Sequence, residues 1–317
     1  MFWPGWPMRD RDAEIAVFLN RAGWQSASRT RIAGDMSSRA YSRLSLNGLT
    51  AILMDAETSM RSFVEMTHWL ESVGLSVPEV LLEDAEAGLL LLEDFGDLSM
   101  KAAIVDAEKS ELAYDTCLQI LLRIRASEAP DGLLQPDAKA LSDDMRIVDD
   151  FVLDVDTGVL SAFRGRLARV LESVLAVATC VSLRDFHSEN MMWLPDRSGL
   201  RRLGLLDYQD AFLTHPAYDL VSLLTDARTS VSRERRQKAI ARYITLSGDD
   251  PDRFETAFAA LSVQRNMRIL GVFARAKKNM EFMPNTFGYL AEALEHPVFA
   301  KHRPDVLGAF PDGFPNV

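Results

Sequence analysis

The sequence predicts a two-lobed α+β protein, in which a small lobe built on an antiparallel sheet precedes a larger, mainly helical lobe. Three observations favour this fold class. Period-two alternation of apolar and polar residues dominates the first third of the chain, helical periodicity dominates the rest, and the pattern changes near residue 95. The expected domains are residues 1–95 and residues 96–317, with a cleft between them.

The first lobe is expected to contain two helices and a set of antiparallel strands. Apolar residues at helical spacing predict one helix that ends near Gly23 and another that begins near Ser59. Asn47-Gly48 separates two strand-like stretches and is the strongest short-range signal of a β-hairpin. Two further strands are expected at residues 79–84 and 88–94.

The second lobe is expected to be mainly helical. Apolar stripes predict helices around residues 113–124 and 163–178. A short apolar strand, LGLLD at residues 203–207, interrupts them, and helical patterns then continue to near the C-terminus.

Composition excludes several classes of function. The net charge of −11 disfavours nucleic acid and anionic membrane surfaces as partners, because both attract basic proteins. No apolar run is long enough for a membrane span, and the N-terminus lacks the features of a signal peptide. Cys117 and Cys180 are the only cysteines, so we expect reduced thiols and a cytoplasmic protein.

The stretch VSLRDFHSENMMWL, residues 181–194, concentrates polar side chains between two apolar segments. Asp185 and Asn190 lie five residues apart on this loop, and Asp207 ends the apolar strand downstream. Phosphoryl transfer needs a carboxylate that accepts the proton of a hydroxyl, and oxygen ligands that hold Mg²⁺ on nucleotide phosphates. The spacing is typical of the catalytic and metal-binding loops of kinases. These three residues are therefore predicted to form a phosphoryl-transfer site.

Several motifs resemble a known superfamily. LRDFHSEN resembles the catalytic loop of the aminoglycoside phosphotransferase and choline kinase superfamily, LDYQDA resembles its metal-binding segment, and HPAYDLVSLLTDAR is similar to the helix that follows. More closely, GDMSSRAYSRL, ILMDAE, LLLEDFGD and SVQRNMRILGVFARAKK resemble the bacterial anomeric sugar kinases of cell-wall recycling. Those enzymes phosphorylate N-acetylmuramate and N-acetylglucosamine at the anomeric hydroxyl. The resemblance runs from about residue 30 to about residue 280.

The resemblance implies a protein-kinase-like fold, ATP and Mg²⁺ as cofactors, and a small sugar as acceptor. Residues 1–95 would bind the nucleotide, and residues 96–317 would carry the catalytic and substrate-binding groups. Asp185 would be the catalytic base, and Asn190 and Asp207 the Mg²⁺ ligands. The nucleotide would contact two segments. The adenine would bind the backbone of a hinge that consists of Leu92, Glu93, Asp94 and Phe95. The phosphates would be covered by a loop that includes Gly34, Ser37 and Ser38.

Two positions depart from the usual kinase pattern. Leu183 stands where many kinases have a largely structural His. Met54 stands where a strand would normally deliver a Lys to the phosphates, although the anomeric sugar kinases share this Met. Arg39 and Arg43 lie on one face of the preceding strand, and either is expected to supply the missing cation.

Other residues near the loop are assigned supporting roles. His187 is interpreted as a structural histidine, since a Zn²⁺ site would need more His or Cys ligands than this region offers. Asp219 is expected to be a buried hydrogen-bond partner of the catalytic loop. Asp210 either supports Asp207 or contacts substrate, and the sequence favours neither.

The segment SVQRNMRILGVFARAKK is predicted to form a helix with one polar, basic face. Gln264, Arg268, Gly271, Arg275 and Lys278 share that face, and Arg265 lies at the edge of the neighbouring apolar stripe. A solvated surface is the alternative interpretation. In an acidic chain we instead expect Arg265, Arg268 or Arg275 to line the substrate side of the cleft, where they would favour a neutral or carboxylate-bearing sugar.

Two other functions compete with a sugar kinase. An aminoglycoside phosphotransferase would need an acidic pocket, which the net charge supports weakly. A pseudokinase without transfer activity is suggested by Met54. The presence of Asp185, Asn190 and Asp207 together argues against the pseudokinase, because a scaffold without activity has no physical need for them.

Overall fold

The structure is a computed structural model that describes residues 10–32, 39–56, 60–151, 157–177 and 179–310. Gly34, Ser37 and Ser38, expected to cover the phosphates, and Ser59 lie outside the described residues. Within these ranges no helix combines the length and hydropathy of a bilayer span. Cys117 and Cys180 are both free.

Five strands form one antiparallel sheet in the order β1-β2-β3-β5-β4. Two short antiparallel ribbons, β6 with β9 and β7 with β8, lie later in the chain. The strands are β1 (Ser28–Ile32), β2 (Arg39–Leu46), β3 (Leu49–Ala56), β4 (Val80–Asp84), β5 (Leu89–Glu93), β6 (Cys180–Ser182), β7 (Met191–Trp193), β8 (Leu203–Leu205) and β9 (Phe212–Thr214).

Helices account for most of the chain after the sheet. Six of them begin at an Asp or Ser whose side chain accepts a hydrogen bond from a free backbone N–H of the first turn. The α-helices are α1 (Arg11–Arg21), α2 (Arg61–Ser72), α3 (Met100–Ala103), α4 (Ala107–Arg125), α5 (Ala138–Asp143), α6 (Thr157–Leu175), α7 (Ala217–Leu224), α8 (Arg233–Ser247), α9 (Pro251–Ala276), α10 (Met283–Ala293) and α11 (Arg303–Gly308). A 3₁₀ segment, Asp144–Phe151, follows α5.

The β2–β3 hairpin follows directly from its two turn residues. Asn47 and Gly48 have φ values of 51° and 83°, the left-handed conformation that a tight hairpin turn requires. Their flanking residues, Leu46 and Leu49, are paired across the ladder.

Both faces of the sheet are covered, so β5 is buried along its apolar run. On one face Leu53 and Leu91 pack with Phe18 of α1. On the other face Met54 and Leu90 join a larger core that continues through α2 into the helical part. The second core is therefore continuous between the sheet and the helical part.

The predicted fold class is confirmed: an antiparallel sheet is followed by a mainly helical region. The helix expected at residues 113–124 is α4, and the one expected at 163–178 runs earlier, from Thr157 to Leu175. The sheet ends at Glu93 and the next helix begins at Met100, so the domain boundary at residue 95 stays a prediction that falls in this connection.

Candidate active site

A cleft of about 790 Å³ lies between the sheet and the helical region. It brings together most of the side chains that the sequence predicts for the site. Those that line it are Arg39, Arg43, Leu92, Glu93, Asp94, Phe95, Asp185, His187, Asn190, Asp207, Asp210 and Arg265.

Asp219, on α7, holds the start of the catalytic loop. Its carboxylate accepts hydrogen bonds from Ser182 Oγ at 2.7 Å, from Leu183 N at 2.6 Å and from Arg184 N at 3.1 Å. Arg184 has a φ of 72°, a strained conformation that these bonds stabilise. Burial raises the pKa of Asp219 to about 6 despite the hydrogen bonds. The geometry is that of the buried hydrogen-bond partner expected from the sequence.

Asn190 and Asp207 converge on one point of the cleft. Asn190 Nδ2 donates to the backbone oxygen of Asp185 at 3.0 Å and lies 3.5 Å from Asp207 Oδ2. The backbone N–H of Leu206 donates to Asn190 O at 2.9 Å, which ties the two segments together. Gln209 Nε2 donates to the other Asp207 oxygen at 2.8 Å, and Asp207 has a φ of 58°.

This donor set fits Mg²⁺. A carboxylate and an amide oxygen are hard ligands, and Mg²⁺ typically takes one or two protein groups together with waters and substrate phosphates. Among the described residues no group of three or more His, Cys, Asp and Glu side chains could hold a metal by itself. A metal bound here would therefore share its ligands with a phosphate.

Asp185 is an accessible carboxylate of the loop, with 43% of its side chain exposed. Its Oδ1 lies 3.3 Å from Nη2 of Arg265, a residue of α9 whose side chain is only 6% exposed. The pair combines a buried cation with a carboxylate that reaches the cleft. Asp185 is thus oriented from behind while its other oxygen remains available to a ligand.

His187 belongs to the same loop, and its side chain is buried. Burial is the main cause that lowers its pKa, and Asp226, Arg228, Asp185 and Arg265 all lie close enough to act on it. The imidazole is therefore neutral near pH 7. Its Nδ1 is buried and has no hydrogen-bond partner among the described residues.

The two arginines expected near the phosphates differ in their surroundings. Arg43 Nε lies 2.7 Å from Asp94, its Nη1 lies 2.6 Å from Asp97, and its Nη2 donates to Gly96 O at 3.0 Å. Arg43 is therefore bonded to the hinge. Met54 is fully buried in the core and does not reach the cleft.

Arg39 lies beside Tyr41 in the cleft. Burial raises the pKa of the Tyr41 hydroxyl, while the Arg39 guanidinium acts to lower it. Both side chains line the cleft together with Asp207. Because Arg43 is bonded to the hinge, Arg39 is the better candidate of the two for contact with a phosphate.

The side of α9 that faces the cleft is adjacent to the polar face that the sequence predicts, and is not the same face. Arg265, Ile269 and Phe273 line the cleft. Arg268 instead pairs with Asp144 at 3.3 Å, and Arg275 is exposed in the last turn, so neither contributes to the described cleft lining.

Packing explains this difference. Gln264 is buried and donates to Leu141 O at 3.0 Å. Gly271 lies against the 3₁₀ segment, where a Cβ would approach the backbone of Ile147 to 2.7 Å. The polar face that contains these two residues therefore packs against other segments of the chain. Arg265, on the adjacent side of the helix, faces the cleft.

The cleft also contains a cluster of charged side chains around Glu189 that the sequence does not predict. Glu189, inside the catalytic loop, pairs with Lys101 at 2.6 Å and with Arg228 at 2.8 Å. Asp226 accepts from Ser188 Oγ at 2.7 Å and from Arg228 N at 2.9 Å. The only sequence signal was the unusual polarity of the loop itself, because the cations come from elements distant along the chain.

The fold and the site together define a phosphotransferase that uses an alcohol group as acceptor. The chain belongs to the phosphotransferase enzyme family, whose model matches residues 28–256.

Two relatives of similar length match most of this chain. The chain is 33% identical to the N-acetylmuramate/N-acetylglucosamine kinase of Caulobacter vibrioides, over 92% of this chain and 94% of that protein. It is 26% identical to the N-acetylmuramate/N-acetylglucosamine kinase of Pseudomonas aeruginosa, over 88% of this chain and 87% of the relative.

Solved structures share the fold at low sequence identity. A choline/ethanolamine kinase family protein from Mesorhizobium loti has a TM-score of 0.63 and 16% identity, with 93% of this chain and 97% of that chain covered. The ADP-bound aminoglycoside phosphotransferase APH(2″)-Ib has a TM-score of 0.61 and 15% identity, with 92% and 99% covered. At these identities the likeness concerns the fold alone.

Proposed function

We propose that this protein is an ATP- and Mg²⁺-dependent sugar kinase that phosphorylates the anomeric hydroxyl of N-acetylmuramate or N-acetylglucosamine. The observation that carries the proposal is the convergence of Asp185, Asn190 and Asp207 in one cleft. The names of the relatives, which match almost the whole chain, support the choice of acceptor. The predicted cytoplasmic location belongs to the same proposal, because that compartment supplies ATP.

Asp185 accepts the proton of the acceptor hydroxyl. As that oxygen bonds to the γ-phosphorus of ATP, the bond between the γ-phosphorus and the bridging oxygen breaks, and ADP leaves. Arg265 holds the Asp185 carboxylate in place, and Asp219 holds the loop that carries it. Because the anomeric hydroxyl is the most acidic hydroxyl of a reducing sugar, a carboxylate base suits it best.

Asn190 and Asp207 would hold Mg²⁺, which supplies charge neutralisation for the phosphates when it is bound. Arg39 is proposed to add the cation that Met54 cannot provide, since it lines the same cleft as Asp207 while Arg43 is bonded to the hinge. Leu92 to Phe95 would receive the adenine. Phe95 is positioned by Gly204, where a Cβ would collide with the aromatic ring, and by the guanidinium of Arg197, 5.1 Å above the ring.

The proposal is tested by transfer of radiolabelled γ-phosphate from ATP across N-acetylated amino sugars, aminoglycosides and choline. We expect label on N-acetylmuramate or N-acetylglucosamine, together with loss of the reducing end. Efficient transfer to an aminoglycoside, without transfer to either sugar, would contradict the proposal.

A further inference from the structure

The charged group Lys101–Glu189–Arg228 forms part of the cleft wall close to the catalytic loop. Glu189 and Arg228 line the cleft together with Asp185 and Arg265. Glu189, the partner of Arg228, is four residues from Asp185 on the catalytic loop. An acceptor bound at Asp185 therefore shares the cleft with the Arg228 guanidinium.

Arg228 is held at this position by contacts of both its backbone and its side chain. Its backbone N–H donates to Asp226, and the same carboxylate accepts from Ser188 of the catalytic loop. Its Nε lies 2.8 Å from Glu189 Oε2, and 19% of its side chain is exposed. The contact between Nε and Glu189 thus orients the guanidinium by its inner edge.

The outer edge of the same guanidinium is available. Within the described part of the chain, neither terminal nitrogen of Arg228 donates a hydrogen bond. These two nitrogens form the planar pair that binds a carboxylate in a bidentate manner.

The charges around the guanidinium are balanced. Glu189 is shared between two cations, because its other oxygen lies 2.6 Å from Lys101 Nζ. The Asp226 carboxylate, which accepts from the Arg228 backbone N–H, offsets the second cation. An anionic ligand group would therefore be bound through hydrogen bonds from the outer edge of Arg228, which are strengthened because the donor is charged.

We propose that Arg228 binds a carboxylate of the acceptor and so selects acidic N-acetylated amino sugars over neutral ones. This inference rests on the proposed function, because it supplies the residue that distinguishes its two acceptors. N-Acetylmuramate differs from N-acetylglucosamine by a lactyl ether that bears a carboxylate. Ile269 and Phe273, one and two turns beyond Arg265 on α9, offer an apolar surface to the groups the two sugars share.

The test compares kcat/KM for the two sugars in the wild type and in Arg228→Gln. We expect the ratio of N-acetylmuramate to N-acetylglucosamine to fall by about tenfold or more, since charge-assisted hydrogen bonds are lost for only one sugar. Arg228→Lys keeps the positive charge but loses the planar pair of nitrogens. This variant should therefore retain part of the preference for N-acetylmuramate.

Arg242→Gln is the matched control. Arg242 also pairs with a carboxylate, that of Asp115, but on α8 and outside the cleft, so its removal should leave the ratio unchanged. The melting temperature of each variant shows whether it is folded.

Three outcomes would overturn the inference. If the wild type phosphorylates both sugars and Arg228→Gln leaves their ratio unchanged, the inference is wrong and the proposed function stands. An equal loss for both sugars would assign Arg228 to phosphate or to loop structure instead of the acceptor carboxylate. A wild type that phosphorylates neither sugar would overturn the proposed function as well.

Discussion

The arginine on the hinge side of the cleft and those on the α9 side differ in exposure and in the number of their partners. On the hinge side Arg43 contacts Asp94, Asp97 and Gly96 O, and 26% of its side chain is exposed. On the α9 side Arg265 and Arg228 are less exposed, at 6% and 19%, yet each forms a single ion pair with the residues that the structure describes. A guanidinium such as Arg43, with three partners from the fold itself, is explained by the fold. A more buried one with fewer partners indicates the place where a ligand supplies the rest.

The largest expected effect concerns the metal ligands that lie between the two sides. Asp207→Ala should lower Mg²⁺-dependent ATP affinity by ~100-fold or more, because it removes a charged ligand. Asn190→Ala should have a smaller effect, since a neutral ligand is lost. Calorimetric titration with and without Mg²⁺ measures both, and unchanged affinities in the two variants would refute the assignment.

The next effect tests the α9 side. Arg265→Ala should lower kcat/KM for the sugar by about 10- to 100-fold, because Asp185 loses its buried cationic partner, while KM for ATP changes little. Arg275→Ala is the control from the same helix, since Arg275 is exposed and outside the described cleft lining. Steady-state kinetics with each substrate varied in turn separates the two. Equal effects of both substitutions would place Arg265 outside the site.

A third prediction tests the hinge side. Arg43→Ala should lower the free energy of unfolding by about 1–3 kcal/mol, because the Asp94 carboxylate, 4% exposed, loses its partner. Arg39→Ala should instead raise KM for ATP with little change in stability. Thermal unfolding and ATP kinetics of both variants provide the measurement. If Arg43→Ala raised KM for ATP more than Arg39→Ala, the two roles would be exchanged.

The smallest effect lies outside the cleft. His215 is buried, and burial lowers its pKa to about 4 from an ordinary value of 6.5. The unfolded chain therefore takes up a proton below pH 6.5 that the folded protein does not. Stability that is present above pH 6.5 is lost as the pH falls towards 4, by on the order of 1 kcal/mol at pH 5.5.

His215→Gln should remove this part of the acid sensitivity. Chemical denaturation of the variant and the wild type at pH 7.5 and pH 5.5 is the measurement. If both proteins lose the same stability between these two values, His215 is not the group responsible.

The sequence was informative where a local pattern reports the structure directly. The hairpin at Asn47-Gly48 and the catalytic loop around Asp185 both depend on residues close together in the chain. Asp219 was recognisable because a carboxylate at the start of an apolar helix needs a polar partner, and the loop backbone is that partner.

The arrangement of the cations depends on packing between distant segments. Helical spacing placed Gln264, Arg268 and Gly271 on one face, but it could not reveal that two of them pack against residues 141 and 147. Likewise, Arg43 and Asp94 are 51 residues apart, and Arg228 and Glu189 join two separate loops. Such pairs appear only once the tertiary contacts are known.

The most direct test of the central claim is a single-turnover measurement of phosphate transfer from ATP to N-acetylmuramate, with wild type and Asp185→Asn compared. We expect the wild type to form a sugar phosphate at the anomeric position. Asp185→Asn should bind ATP as the wild type does, because Asp185 is assigned to the acceptor hydroxyl. Its transfer rate should fall by about 10²- to 10⁴-fold, since the proton acceptor is lost. A transfer rate in Asp185→Asn within a few-fold of the wild-type rate would contradict the account.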